Sequence, residues 1–151
     1  MAAFPEIKTL AVIGLGLIGG SLTKSVRNTG FALNTIGYCL NYSEAKLGVE
    51  LGVVDVAAES IADAVKDADV VVLAVPVRAF EEVLREVKPF LKSGAVLTDV
   101  GSVKGCFLES VKCVYGCVPD FVVPGHPIAG SERSGVVAAN EYLYEHHKVI
   151  I

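Results

Sequence analysis

Residues 8–20, KTLAVIGLGLIGG, constrain this chain more than any other stretch. Residues 8–13 read as a strand that runs directly into Gly14-x-Gly16-x-x-Gly19. A helix pattern follows from Leu17 to about Asn28, closed by Gly30 at the cap. Strand, glycine turn and helix in that order make a dinucleotide cradle. Gly14 permits the tight turn, Gly16 lets the backbone approach a pyrophosphate, and Gly19 allows close packing of helix on strand. Leu15, Leu17 and Ile18 fill the turn between them, and the first N–H groups of the helix face the phosphate charge. A plain structural turn is the alternative, and the strand-to-helix context favours the cradle.

The rest of the chain alternates in the same way. Strands are expected at 34–39, 69–75, 94–100 and 120–125, with one more in the tail HHKVII and a short segment at 53–56. Helices are expected from Ser43, taken as N-cap, to near Gly52, then at 59–68, from about Arg78 to Val87, and at 103–114. The run DVVVLAV (69–75) is apolar throughout, as in a strand covered on both faces. This alternation over 151 residues predicts a doubly wound α/β fold with a mostly parallel sheet, a Rossmann-type dinucleotide-binding domain occupying residues 1–151 as one unit.

Composition narrows the function classes. The chain is 52% apolar and 7% aromatic, and its net charge of −4 comes with scattered basic residues. Without a basic stripe, nucleic acid is not an expected partner. The start MAAFPEIKTL has no signal-peptide pattern, and no apolar run reaches the roughly 20 residues that span a bilayer. A soluble cytoplasmic protein with no membrane association is expected. Cys39, Cys106, Cys113 and Cys117 read as reduced, partly buried thiols. Cys113 and Cys117 could meet on one helix, but no histidine ligands or paired Cys-x-x-Cys motifs accompany them, so no metal is expected.

Four further places carry candidate site residues. The acid expected about 20 positions after the glycine turn, for the ribose 2′-hydroxyl, is missing, and Cys39 stands there. Asn41, Ser43 and Lys46 are the nearby polar groups, so the residues leave NAD and NADP both open. Val75 and Pro76 end the buried fourth strand where a cofactor would pass, although Pro76 serves equally as a helix-starting proline. Ser102 follows the strand TDV and reads either as a helix N-cap or as a site residue, with Asp99 and Lys104 as site groups or solvated charges. His126, between Gly125 and Pro127, lies in a rigid loop past another strand. It is the best general base in the chain, because imidazole changes charge near neutral pH. His146 and His147 read as ordinary edge or surface residues.

In this order and spacing, AVIGLGLIGGSL, DVVVLAVPV, TDVGSVKG and GHPIAGSERSG resemble the prephenate and arogenate dehydrogenases of tyrosine biosynthesis, over Lys8 to Ile151. GSVKG followed by GHPIAGSE is the specific part. The resemblance implies an NAD(P)-dependent oxidative decarboxylation, with prephenate or arogenate as the small-molecule substrate. It implies that His126 takes the proton of the reacting hydroxyl and that Ser102 helps to place substrate and histidine. It gives Glu132 a part in gating ion pairs, and brings Lys104 toward substrate or cofactor. The family also has a helical domain after this one, which supplies a homodimer interface and the basic groups for the substrate carboxylates. These 151 residues would precede it, so cofactor binding with little turnover is expected of them alone. The alternative is a non-catalytic dinucleotide-binding sensor or interaction module, which would not need Ser102 and His126 together. A complete small reductase for another substrate is disfavoured by the lack of a substrate domain.

Overall fold

The computed structural model describes residues 6–151. Its first unit is strand β1 (Ile7–Ile13), helix α1 (Leu17–Thr29) and strand β2 (Ala32–Tyr38). Helix α2 (Tyr42–Glu50), strand β3 (Val56–Ala57), helix α3 (Ile61–Val65) and strand β4 (Val70–Leu73) follow. A 3₁₀ turn at Val77–Ala79 leads into helix α4 (Phe80–Val87), then strand β5 (Val96–Asp99), helix α5 (Lys104–Tyr115) and strand β6 (Val122–Val123). The strands form a six-stranded sheet in the order β3-β2-β1-β4-β5-β6, with every pairing parallel. That order, with the chain reversing direction between β1 and β4, is the Rossmann arrangement, and it opens a crevice at the carboxyl ends of those two strands.

Successive side chains of β1 point to opposite faces, and both faces are buried. Ala11 and Ile13 join a core with Leu73, Phe80, Leu84, Leu97 and Phe107 under α3, α4 and α5. Leu10 and Val12 join a second core with Leu15, Ala45, Val53, Val136 and Ala139. This double burial is why the strands read as continuous apolar runs rather than as an alternation. Phe80 and Phe107, both fully buried, meet edge to face at 5.2 Å between ring centroids and tie α4 to α5. Helix α1 lies close on the sheet because its inward positions include Gly19, Gly20, Ser21 and Thr23.

Several local expectations change. Helix α2 is capped by Asn41, whose side-chain oxygen accepts the Ser43 N–H at 3.0 Å, so Ser43 lies inside the helix and is not its cap. Ser60 caps a third helix of only five residues. The tail strand β8 (Val149–Ile150) does not extend the sheet. It pairs antiparallel with β7 (His126–Pro127) in a ladder of its own. Helix α5 ends at Tyr115 and Gly116 turns left-handed at φ 81°, so Cys113 and Cys117 do not share a helix, and both thiols are exposed. Among the described residues no helix is long and apolar enough to cross a membrane.

Candidate functional site

The glycine turn divides its three glycines between two tasks. Gly14 sits at φ 101°, donates its N–H to the Tyr38 carbonyl at 2.8 Å, and would drive a Cβ into the Ala74 carbonyl. At Gly19 a Cβ would strike the Gly14 carbonyl and the Ala74 methyl group. Packing within the chain therefore accounts for both. Gly16 differs: its φ is an ordinary −74°, and a Cβ there would meet nothing within 4 Å. The open space over Gly16 lies at the N-terminus of α1, where no side chain caps the helix and no acid occupies the first turn. Its early N–H groups are thus free for an outside anion.

Leu15 and Leu17 turn their side chains into the interior, and Leu17 borders this space. Ile18 is half-buried, and its carbonyl accepts the Tyr144 hydroxyl at 2.8 Å. Burial raises the Tyr144 phenol well above its ordinary pKa, so it remains a donor. A cavity of about 310 Å³ joins Gly16–Gly19 and Ala74 to Gly130, Ser131, Arg133, Ser134 and Gly135. The Arg133 side chain is exposed and makes no ion pair among the described residues. It brings a cation to the phosphate side of the turn, although Gly19 and Arg133 lie 114 positions apart in the sequence.

A second cavity, about 300 Å³, opens on the other side of Gly14. Its walls include Cys39 and Leu40 past β2, Val75 and Pro76 past β4, and Glu82 and Glu86 of α4. Cys39 is only 7% exposed. Burial pushes its thiol pKa up, opposed by a hydrogen bond with the Leu15 backbone and assisted by the charge of Glu44. Cys39 thus takes the position of the expected acid without its charge. Asn41 is exposed, with its carbonyl oxygen committed to α2. Pro76 lines the cavity and also precedes the 3₁₀ turn at Val77–Ala79.

Ser102 and His126 follow the carboxyl ends of neighbouring strands, and one buried carboxylate binds both loops. Asp99, 1% exposed, accepts the Gly101 N–H through Oδ2 at 2.9 Å and the Gly125 N–H through Oδ1 at 3.2 Å. Lys104 pairs with the same Oδ2 and donates to the Gly125 carbonyl at 2.6 Å. Neither Asp99 nor Lys104 is a solvated charge. The Lys104 ammonium holds the His126 loop from below and does not stand free for a ligand. Ser102 does not cap α5 either. The cap position is Val103, with no side-chain hydrogen bond, and the Ser102 side chain is exposed. The half-buried His126 is further fixed by the β7–β8 ladder, in which the Ile128 N–H bonds the Lys148 carbonyl at 2.8 Å. Glu132 is exposed and unpaired among the described residues, while His147 lies at the surface near the last strand.

Residues 136–144, for which the sequence suggested no element, strap this loop back onto α1. Val136–Ala138 form a 3₁₀ turn, the Asn140 N–H bonds Ser21 Oγ at 2.8 Å, and Lys24 reaches the Ala139 carbonyl at 3.4 Å. The loop that starts at His126 is therefore anchored at both ends and passes beside the glycine turn.

Residues 22–151 match the model of the family described as prephenate dehydrogenase, nucleotide-binding domain. The chain belongs to this family. It is 37% identical over 141 residues to the prephenate dehydrogenase of Bacillus subtilis, covering 91% of this chain and 37% of that protein. Among solved structures it is similar to prephenate dehydrogenase from Aquifex aeolicus in complex with hydroxyphenyl propionate and NAD+. The TM-score is 0.85 and the identity 35%, over 99% of this chain and 51% of that one. Synechocystis arogenate dehydrogenase gives a TM-score of 0.84 at 30% identity, over 93% of this chain and 48% of that one. The chain spans about half the length of these structures and less of the Bacillus protein. As a prephenate dehydrogenase nucleotide-binding domain, it has its glycine turn, its β4 edge and its His126 loop on one rim of the sheet.

Proposed function

We propose that residues 1–151 form a single NAD(P)-binding domain of a prephenate or arogenate dehydrogenase, the cofactor half of an enzyme for NAD(P)-dependent oxidative decarboxylation in tyrosine biosynthesis. The observation that carries this reading is the open space at Gly16, flanked by the uncapped start of α1 and by Arg133, on the same rim as His126. These groups fit a dinucleotide: backbone N–H donors and a cation for the pyrophosphate, and an apolar slot past β2 for the adenosine. Leu17 and Ile18 border the phosphate space with Leu15 buried beneath the turn, Cys39, Val75 and Pro76 line the slot, and Asn41 follows two residues after Cys39. The nicotinamide, when bound, supplies a hydride acceptor.

The chain's own residues then do the following. His126 accepts the proton of the substrate hydroxyl as the hydride leaves the carbon that carries it. Ser102, on the adjoining loop, orients that hydroxyl and the imidazole. Asp99 and Lys104 keep the two loops in register, since they bind the residues immediately before Ser102 and His126. The ring carboxylate departs as carbon dioxide, and aromatisation makes the step irreversible. The basic groups for the substrate carboxylates and the homodimer contacts come from a helical second half, Glu132 serves ion pairs at the mouth of the site, and the enzyme works in the cytoplasm. A sensing module would need the cradle alone, not a serine and a histidine held beside it.

The test is an assay of the full-length protein with prephenate and arogenate, each with NAD and NADP, followed by formation of reduced nicotinamide. His126→Asn is expected to lower kcat by about a hundredfold or more, the usual contribution of a positioned base. Turnover equal to the unaltered enzyme would remove His126 from that role.

A further inference from the structure

The cavity past β2 carries an unbalanced charge. Its walls are mostly apolar, formed by Ile13, Tyr38, Leu40, Ile61, Val75 and Val83, and its charged lining residues are Glu82 and Glu86. They stand four residues apart on α4, so they share a face of the helix. Glu81, on a different face, is paired with Arg85 at 2.7 Å, whereas Glu82 and Glu86 make no ion pair among the described residues. The Tyr38 phenol, across the cavity, has its pKa raised first by burial and then by the charge of Glu86, which puts that carboxylate within electrostatic reach of the end of β2. Among the described residues no lysine, arginine or histidine lines the space. Lys46 lies over the Tyr42 ring, and Arg78 belongs to the 3₁₀ turn beyond Pro76.

We propose that this cavity takes the adenosine end of the cofactor and that Glu82 and Glu86 supply, from α4, the negative charge missing at Cys39, so that the domain selects NAD over NADP. The proposal rests on the reading of the chain as an NAD(P)-binding domain and goes beyond it by choosing the cofactor. The chemistry is directional. The ribose hydroxyls and the adenine amino group are donors, and a carboxylate accepts from either. A 2′-phosphate brings a charge of about −2 and no donor near neutral pH, and here it would face two carboxylates without a cation. Both carboxylates are exposed, so the repulsion is long-range and sensitive to salt.

The experiment uses the chain itself, with dissociation constants for NAD and NADP measured by titration calorimetry at low and at high salt. NAD is expected to bind at least about tenfold more tightly than NADP at low salt, with the ratio falling as salt screens the carboxylates. In Glu82→Gln/Glu86→Gln the ratio is expected to approach one, mainly through tighter NADP binding. Both side chains are exposed, and an unchanged circular dichroism melt confirms that the fold is intact. NADP binding as tight as NAD, or a ratio unmoved in the double variant, would overturn the proposal while leaving dinucleotide binding standing. Failure of both dinucleotides to bind would overturn the cofactor reading and this proposal with it.

Discussion

Two aspartates at opposite edges of the sheet solve the same problem with different consequences. Asp69, at the amino edge before β4, accepts the Lys8 and Thr9 N–H groups at 2.8 and 3.0 Å and pairs with Lys92. Asp99, at the carboxyl edge of β5, accepts the Gly101 and Gly125 N–H groups and pairs with Lys104. Each therefore joins two backbone N–H groups and one lysine. The side chain of Asp69 remains 25% exposed, whereas that of Asp99 is fully buried. At the amino edge, water can replace whatever is lost. At the carboxyl edge, loss leaves a buried gap directly beneath Ser102 and His126. A similar clasp thus serves the sheet at one end and the site at the other.

Substitution at each edge sharpens the contrast. Asp99→Asn puts an amide donor against Lys104 and the glycine N–H groups, and is expected to cost about 3 kcal/mol, the scale for breaking a buried pair. Urea unfolding measures that loss. A cost below that of the amino-edge variant would mean that burial does not set the strength of the clasp. Asp69→Asn is expected to cost about 1 kcal/mol or less at neutral pH, because the pair is partly solvated.

The smaller effect also has a pH signature. Lys92, followed by the Thr9 and Lys8 N–H groups, holds the Asp69 carboxyl down to about 2 from its ordinary 3.8. A depressed pKa stabilises the fold fully above about 3.8, and the contribution fades as the pH falls toward 2. The stability difference between Asp69→Asn and the unaltered chain is expected to close over that interval. A difference that is constant with pH would assign the effect to shape and not to charge.

The glycine turn and the alternating elements were legible because their causes are local. Gly14 needs its positive φ whatever lies far away, and apolar runs reveal doubly covered strands in any context. The caps were less legible: Asn41 and Ser43 are both good capping residues, and only the chain's path into α2 selects Asn41. Ser102 looked like a cap for the same reason, yet α5 begins two residues later and leaves its hydroxyl uncommitted. The role of Asp99 and Lys104 was hidden because it depends on Gly125, 26 residues beyond the aspartate. An aspartate inside an apolar strand, five residues before a lysine, was the available sign of a buried pair. Glu82 and Glu86 carried no local sign. Their importance comes from which walls the sheet order brings together.

The central claim, that the space over Gly16 belongs to a dinucleotide, is tested most directly by Gly16→Val. The backbone there suits any residue and a Cβ meets no neighbour, so stability is expected to change by about 1 kcal/mol or less. Titration calorimetry with NAD, beside a thermal melt, reads binding and folding separately. The account predicts that the unaltered chain binds NAD and that Gly16→Val melts nearly as before but no longer binds. A variant that keeps the affinity of the unaltered chain would contradict it.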